Sequence, residues 1–279
     1  MTPSASAEIG PQQAGRLLDG LSEIVARAAA AIMATPFSEI ARRSKSDQSP
    51  VTAADVEAER IIVEGLGRLL PGLAVIAEQS VARAPAELGA SYAIVDPLDG
   101  TKEFLAGRDE FTVNLAIVTG GVAVAGIVAA PAQGLLWRGA IGGSAERLRL
   151  AWGAGMGSAA ERRVIRTRAA PERLTAATSR SHLDARTEEF LARLPLAARY
   201  ACGSSIKFCQ LAQGDADLYP RLSPVCEWDI AAGCAILAAA GGVASDPQGA
   251  PLRFGRADRK FLVPGCIAWG DPARAQLER

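Results

Sequence analysis

The six residues DPLDGT, at positions 96–101, constrain this chain more than any other segment. They follow the apolar run Ala93–Val95, which predicts a buried strand that opens into a turn. Pro97 fixes its own φ angle and favours a stiff bend, so the carboxylates of Asp96 and Asp99 can converge on one point. The segment therefore predicts a strand end that carries two acidic side chains.

The residue types in this segment suit a divalent cation and a phosphate. Asp96 and Asp99 offer carboxylates and Leu98 offers a carbonyl, and hard cations such as magnesium prefer oxygen ligands. Gly100 permits a close backbone approach, and Thr101 can begin a helix-like turn whose N–H groups suit a phosphate. The alternative is a solvated turn capped by two aspartates, because Asp, Pro and Gly are ordinary turn residues.

Three more acids lie where predicted elements begin or end. Glu78 follows the predicted strand Ala74–Ala77, and Asp229 opens the predicted helix Asp229–Ala240. Asp55 lies at a loop-to-helix junction, after SPVTAA at 49–54. Taken alone, Asp229 and Asp55 also fit plain roles at helix N-termini, where a carboxylate is favourable.

The first half of the chain predicts helices packed on a sheet. Hydrophobic spacing indicates helices at Pro11–Met33 and Thr52–Leu70, with a polar loop at Arg42–Pro50 between them. Strands are expected at Ala74–Ala77, Ser91–Val95, Phe111–Val118, Gly121–Ala129 and Leu135–Ile141. Two helices followed by consecutive strands are typical of an α+β unit with a largely antiparallel sheet.

From about Arg162 the pattern alternates between strand and helix, which is typical of an α/β unit. Strands are expected at Leu174–Thr178 and Ala216–Tyr219, and helices at Thr187–Leu194, Ser204–Gln213 and Asp229–Ala240. Gly153–Ser158 is the best candidate boundary. We therefore expect one continuous globular unit with an α+β metal-binding half, 1–155, and an α/β substrate-binding half, 156–279.

Composition and charge narrow the classes of partner. Lys+Arg and Asp+Glu are balanced at 30 each, so no overall field favours a nucleic acid polymer or an anionic membrane. The start of the chain lacks the pattern of a secretory signal, and the apolar run Ile24–Met33 is too short to span a bilayer. Five cysteines without a CxxC pair indicate reduced thiols, and a single histidine argues against a zinc site.

Several motifs in one order resemble those of the inositol monophosphatase superfamily. DPLDGT at 96–101 and WDIAAG at 228–233 are similar to its two signatures, with SPVTAAD at 49–55 and the strand-end Glu78 upstream. GSSIKF at 203–208, LYPR at 218–221 and SRSH at 179–182 resemble the CysQ branch, the 3'(2'),5'-bisphosphate nucleotidases. The resemblance covers roughly Gly15 to Gly270 and implies a layered αβαβα sandwich of the inositol monophosphatase type.

The resemblance also implies a metal site. The implied ligands are the carboxylates of Glu78, Asp96, Asp99 and Asp229 and the Leu98 carbonyl, which would hold two or three Mg²⁺ ions. Four clustered carboxylates would repel one another without bound cations. Inhibition by Li⁺ and Ca²⁺ is expected from the same resemblance. One departure is Gln79, which stands where the family commonly has a second glutamate after this strand and so removes one negative charge.

The resemblance also implies catalytic and substrate-binding roles for individual residues. Thr101 would orient the attacking water with Asp55 or Glu78 as proton acceptor. The implied substrate contacts are Gly100, Thr101, His182, Ser204, Lys207, Arg221 and Asp229. The substrate favoured by this set is adenosine 3',5'-bisphosphate, because Lys and Arg suit a second phosphate.

Two other functions stay open at this point. One is an inositol or other sugar-alcohol monophosphatase with the same metal core, and the other is a catalytically idle regulator that binds a cation or a nucleotide. We expect a small phosphorylated substrate, no nucleic acid polymer and no obligate protein partner, with a homodimer left open. The expected location is cytoplasmic, with peripheral association with the cytoplasmic face of the inner membrane also open.

Overall fold

The computed structural model describes residues 8–35, 43–44, 50–84, 87–181 and 183–277. The helices are α1 (Pro11–Ala34), α2 (Ala53–Leu69), α3 (Thr101–Leu105), α4 (Ala185–Ala192), α5 (Ile206–Ala212), α6 (Glu227–Ala240) and α7 (Pro272–Leu277). The strands of the first part are β1 (Arg43–Ser44), β2 (Pro50–Val51), β3 (Ala74–Ala77), β4 (Ser91–Asp99), β5 (Thr112–Thr119), β6 (Val122–Ala130), β7 (Leu135–Ala140), β8 (Ala145–Arg149) and β9 (Glu161–Ile165). The remaining strands are β10 (Leu174–Ser179), β11 (Leu196–Cys202), β12 (Leu218–Arg221), β13 (Val225–Cys226), β14 (Val243–Ser245), β15 (Leu262–Val263) and β16 (Cys266–Trp269).

Helices α1 and α2 form the outer layer over the first sheet. Leu21, Val25 and Ile32 are buried on one face of α1, as the three- and four-residue spacing predicts. Helix α2 starts in a capping box, in which the Thr52 hydroxyl and the Asp55 carboxylate each accept a bond from the other's backbone N–H. Both helices pack on each other and on the strands beneath them.

The first sheet has seven strands in the order β3-β4-β5-β6-β7-β8-β9, and only β3 and β4 are parallel. The predicted hairpin of β5 and β6 and the continuation into β7 are confirmed. Strands β8 and β9 were not predicted, and β9 lies beyond the expected boundary between residues 155 and 156. We keep the division into two halves as a proposal, with the first sheet extending to Ile165.

The second sheet has five strands in the order β11-β10-β12-β16-β14. The first three are parallel, and β16 is antiparallel to both of its neighbours. Edge strand β11 escaped prediction because five consecutive residues of it, from Ala197 to Ala201, are exposed and show no alternation. Helices α5 and α6 pack on each other, and α6 also contacts both the first sheet and β14.

The layers therefore run α1/α2, first sheet, α5/α6, second sheet and α4/α7, which confirms the expected αβαβα sandwich. Among the described helices, none is long and apolar enough to cross a membrane. Most of the predicted loop Arg42–Pro50 lies outside the described residues.

Three boundaries differ from prediction near the cleft. Strand β4 continues through Asp99, with a register shift between Asp96 and Asp99 where Pro97 offers no N–H to the ladder. The acids thus lie on the last residues of the strand rather than in a turn after it. Helix α6 begins at Glu227, two residues before Asp229, and α5 begins after Ser204 rather than at it.

Candidate active site

A cleft of about 260 Å³ opens at the end of β4, beside the first residues of α5 and α6 and the end of β12. It is lined by ten of the predicted site residues: Glu78, Asp96, Leu98, Asp99, Gly100, Thr101, Ser204, Lys207, Arg221 and Asp229. Asp55 is fully buried behind the cleft and reaches it through Thr101. His182 lies outside the described residues.

Four of these residues form what we call the acidic cluster: Glu78, Asp96, Asp99 and Asp229. Burial raises the pKa of Asp96 well above its ordinary value, and the charges of Glu78, Asp99 and Asp229 raise it further. Burial likewise raises the pKa of Asp229 to about 8, helped by the nearby Asp99 charge and opposed by Arg221. Asp96 and Asp229 also share a hydrogen bond. Four negatively charged carboxylates are therefore unfavourable in this cluster unless a cation or a proton is bound.

The donor chemistry of the acidic cluster fits a hard divalent cation. All four side chains present oxygen, and the Leu98 carbonyl lines the same cleft. Within the described part of the chain, no three acidic, histidine or cysteine side chains are yet arranged closely enough to hold an ion. The carboxylates would have to move closer together to coordinate one.

Polar side chains fix the position of Asp99. Its Oδ2 lies 2.9 Å from Ser205 Oγ, whose single proton can be given to it or to the Asp229 carbonyl oxygen at 2.6 Å, and it lies 3.4 Å from each of the donors Thr112 Oγ1 and Asn114 Nδ2. Asn114 also donates to Ser205 at 2.8 Å. Sequence reasoning missed these three residues. A signal was available in β5, because Thr112 and Asn114 are polar positions before the apolar run Leu115–Val118, and they pair with Asp99 and Asp96.

Thr101 connects the cleft to a buried carboxylate. Its Oγ1 lies 3.3 Å from Asp55 Oδ1 and 3.1 Å from the Leu98 carbonyl oxygen, so its single proton can be given to either. The other oxygen of Asp55 accepts from the Thr52 backbone N–H at 2.8 Å and from the Thr52 hydroxyl. Gly100, just before Thr101, has φ of 90°, a conformation that favours glycine.

Gln79, which stands where a second glutamate is common in the family, forms hydrogen bonds with two glutamates. Its Nε2 donates to Glu78 Oε2 at 3.1 Å, and its backbone N–H donates to Glu59 Oε2 at 2.8 Å. A glutamate at this position would place a second negative charge beside Glu78. The amide instead supplies a donor that orients the Glu78 carboxylate.

A second group of cleft residues, Ser204, Lys207 and Arg221, forms what we call the cationic cluster. Lys207 is buried, and its Nζ donates to the Ser204 carbonyl and, at 3.4 Å, to the Cys202 carbonyl. The ammonium also lies 5.2 Å from the centre of the Tyr219 ring. Burial lowers the pKa of Lys207. An ammonium has three N–H donors, so these two carbonyls leave one for a ligand.

Ser204 and Lys207 come together for a different reason from the one predicted. In the predicted helix Ser204–Gln213, Ser204 and Lys207 would lie one turn apart on one face, but Ser204 precedes α5 and has a left-handed φ of 46°. Its hydroxyl oxygen is buried and has no hydrogen-bond partner among the described residues, and the same holds for Arg221 Nε. Unpaired buried polar atoms are costly, so both atoms are candidates for ligand contacts.

The sequence profile of the inositol monophosphatase family matches residues 16–274. This chain belongs to the inositol monophosphatase family.

Within the family, the similar proteins point to one branch. The chain is 39% identical over 255 residues to the 3'(2'),5'-bisphosphate nucleotidase CysQ of Escherichia coli O157:H7, covering 89% of this chain and 98% of the relative. It is 41% identical over 223 residues to CysQ of Shigella flexneri, covering 80% and 86%. The crystal structure of CysQ from Bacteroides thetaiotaomicron superposes with a TM-score of 0.75 at 32% identity, covering 93% of this chain and 97% of that one.

Proposed function

We propose that this chain removes the 3'-phosphate of adenosine 3',5'-bisphosphate in a magnesium-dependent reaction that yields AMP and inorganic phosphate. The observation that carries the proposal is the presence, in one cleft, of the acidic cluster and the cationic cluster. The first suits a cation and a scissile phosphate, and the second suits another anionic group on the same substrate. Likeness to the CysQ bisphosphate nucleotidases supports the same substrate.

The residues that would hold magnesium are Glu78, Asp96, Asp99 and Asp229, with the Leu98 carbonyl. Bound magnesium would supply charge neutralisation at the phosphoryl oxygens and activation of water. Ser205, Thr112 and Asn114 hold Asp99 in place for this task through their hydrogen bonds. The number of ions and the inhibition by Li⁺ and Ca²⁺ stay predictions.

Thr101 and Asp55 form the proton path of the reaction. Thr101 Oγ1 accepts a proton from the attacking water and passes its own to Asp55 Oδ1, 3.3 Å away. The water oxygen bonds to phosphorus while the bond from phosphorus to the ribose 3'-oxygen breaks. That oxygen takes up a proton from solvent water, and Asp55 afterwards returns its proton to solvent, so that the ester and one water give AMP and phosphate. Thr52 holds the Asp55 carboxylate in place through two hydrogen bonds to its Oδ2, which leaves Oδ1 facing Thr101. Glu78 remains the other predicted acceptor.

The cationic cluster recognises the rest of the substrate. The remaining N–H of Lys207, the guanidinium of Arg221 and the unpaired hydroxyl of Ser204 are the donors available for the 5'-phosphate. Gly100 and Thr101 would cradle the scissile phosphate, and Asp229 and His182 stay predicted substrate contacts. A cytoplasmic location also stays a prediction, and a homodimer stays open.

Product analysis tests this proposal. The purified chain, given adenosine 3',5'-bisphosphate and magnesium, should release phosphate and form AMP, with activity lost on chelation and restored by added magnesium. Formation of adenosine 3'-phosphate instead would mean that the substrate binds in the opposite orientation. Full turnover in metal-free buffer would rule out the role given to the acidic cluster.

A further inference from the structure

One carboxylate on the first-sheet side, that of Glu110, forms hydrogen bonds with residues on the second-sheet side. Glu110, just before β5, accepts two hydrogen bonds from Arg180, at 2.8 Å from Nε and 2.7 Å from Nη2. The same carboxylate accepts the backbone N–H of Gly203 at 2.9 Å. Arg180 also donates to the Ala201 carbonyl at 2.7 Å, so its guanidinium joins the ends of β10 and β11 to Glu110.

Gly203 is held by contact as well as by hydrogen bonding. A Cβ atom at this position would lie 2.6 Å from the Glu110 carbonyl oxygen and 3.1 Å from Glu103 Cγ, which is too close for any side chain. Glu103 itself is buried and accepts a hydrogen bond from Ser181 Oγ at 2.6 Å. Segments 180–181 and 201–203 are therefore both held against residues 103–110, by hydrogen bonds and by the close contact at Gly203.

Segment 201–203, which is held against residues 103–110, leads directly into Ser204 of the cationic cluster. Gly203 precedes Ser204, which lines the cleft, has a left-handed φ and carries a buried hydroxyl with no hydrogen-bond partner among the described residues. The Ser204 carbonyl then accepts the Lys207 ammonium. A non-glycine residue in the left-handed region is strained and persists only where its surroundings hold it. The Glu110 carboxylate, through Gly203, is placed to do this.

The carboxylate of Glu110 is well suited to hold Arg180 and Gly203 in place at neutral pH. The hydrogen bonds of Arg180 hold the pKa of Glu110 below its ordinary value, so the group stays charged near neutral pH. The Glu110 side chain is 16% exposed and that of Arg180 is 41% exposed, and the two parallel hydrogen bonds between them fix their relative orientation. Neither Glu110 nor Arg180 lines the cleft, so both act only through the residues that do.

We propose that Glu110 is a positioning residue for substrate choice, which fixes Gly203 and thereby sets Ser204 and Lys207 for the second phosphate of the substrate. This inference rests on the proposed bisphosphate nucleotidase activity. It predicts that loss of Glu110 weakens discrimination between substrates that differ only in the second phosphate, while the water-activating pair Thr101 and Asp55 is left intact.

The test compares adenosine 3',5'-bisphosphate with adenosine 3'-phosphate, which lacks only the 5'-phosphate. Glu110→Ala should raise KM for the bisphosphate about tenfold, the lower end for losing a charge-assisted contact, with kcat changed little. The kinetic constants for adenosine 3'-phosphate should stay near those of the wild type. Glu110→Gln retains an acceptor for the Gly203 N–H and should recover most of the discrimination, and Arg180→Ala should have an intermediate effect.

Glu188→Ala is the matched control, because Glu188 forms an exposed ion pair with Arg199 on the second-sheet side and does not line the cleft. It should leave both substrates unaffected. Equal losses on both substrates with Glu110→Ala would overturn the inference. If that variant does not fold, unchanged discrimination in both Glu110→Gln and Arg180→Ala would overturn it as well. A wild-type chain that does not favour the bisphosphate would instead refute the proposed function.

Discussion

The acidic cluster and the cationic cluster line the same cleft but differ in how their charges are satisfied. In the acidic cluster, Asp96 and Asp229 share a hydrogen bond and burial raises the pKa of both. In the cationic cluster, Lys207 is already held by two backbone carbonyls and the Tyr219 ring. The first needs protons or metal ions from solution, whereas in the second the fold itself holds the Lys207 ammonium and, among the described residues, leaves the Ser204 hydroxyl for a ligand.

This difference indicates a division of labour. A cluster completed only by a bound cation is suited to the chemical step, because the cation and the scissile phosphate can be gathered together. A cluster held in advance by the fold is suited to choosing the substrate, because its donors lose little freedom when they bind. Changes in the acidic cluster should therefore stop all turnover, and changes in the cationic cluster should affect one class of substrate.

Asp99→Asn should have the largest effect. The substitution keeps the shape of the side chain but removes a charge that metal binding needs, so both charge neutralisation and water activation are lost. Combining these contributions gives a fall in kcat/KM of roughly 10⁴-fold or more on every phosphate ester. Steady-state kinetics would measure it, with the exposed Asp258→Asn as a control that should remain active. Near-normal turnover by Asp99→Asn would exclude the metal role of Asp99.

Thr101→Ala should have the next largest effect. Removing a group that relays a proton in the transition state costs about 10²- to 10⁴-fold in rate. The fall should be in kcat for all substrates, with KM nearly unchanged. Thr101→Ser retains the hydroxyl and should recover most of the activity. A change confined to KM would make Thr101 a binding residue only.

Substitutions in the cationic cluster should be smaller and selective. Lys207→Ala or Arg221→Ala removes a charge-assisted hydrogen bond, which costs about 10- to 100-fold in kcat/KM on adenosine 3',5'-bisphosphate. Hydrolysis of inositol 1-phosphate, which lacks the second phosphate, should be almost unchanged. Because Lys207 is buried, circular dichroism should first confirm that its variant is folded. Equal losses on both substrates would assign these residues to the fold or to the common chemistry.

A different effect concerns stability rather than turnover. The pKa of Asp229 is raised from 3.8 to about 8 in the folded chain, so its contribution is fully present below 3.8 and is lost as pH rises through about 8. The melting temperature of the metal-free protein should fall over this range, at about 2–4 °C per kcal/mol. Asp229→Asn should flatten the fall, and magnesium should reverse it at pH 8. A melting temperature that rises steadily with pH would contradict the shifted pKa.

The sequence predicted the acidic cluster because each of its acids lies at the end or start of an element that local pattern reveals. Strand β3 ends just before Glu78, and β4 carries Asp96 and Asp99 on its last residues. The motifs that resemble the family also implied the layered fold. The two large sheets and the three helical layers confirm it.

What the sequence could not supply depends on packing between distant segments. Ser205 reaches Asp99 across 106 residues, and Glu110 reaches Gly203 across 93. Such contacts are set by sheet register and layer packing, which leave no local pattern. The burial of Lys207 is similar, because a lysine on a short predicted helix is ordinarily solvated.

The most direct test of the division of labour is a side-by-side measurement of kcat/KM for adenosine 3',5'-bisphosphate and inositol 1-phosphate with the wild-type chain and saturating magnesium. Both substrates would use the acidic cluster, but only the bisphosphate would also use the cationic cluster. We therefore expect the bisphosphate to be favoured by about 10-fold or more, as one added charge-assisted phosphate contact requires. Equal efficiencies, or a preference for inositol 1-phosphate, would show that the cationic cluster does not select the substrate.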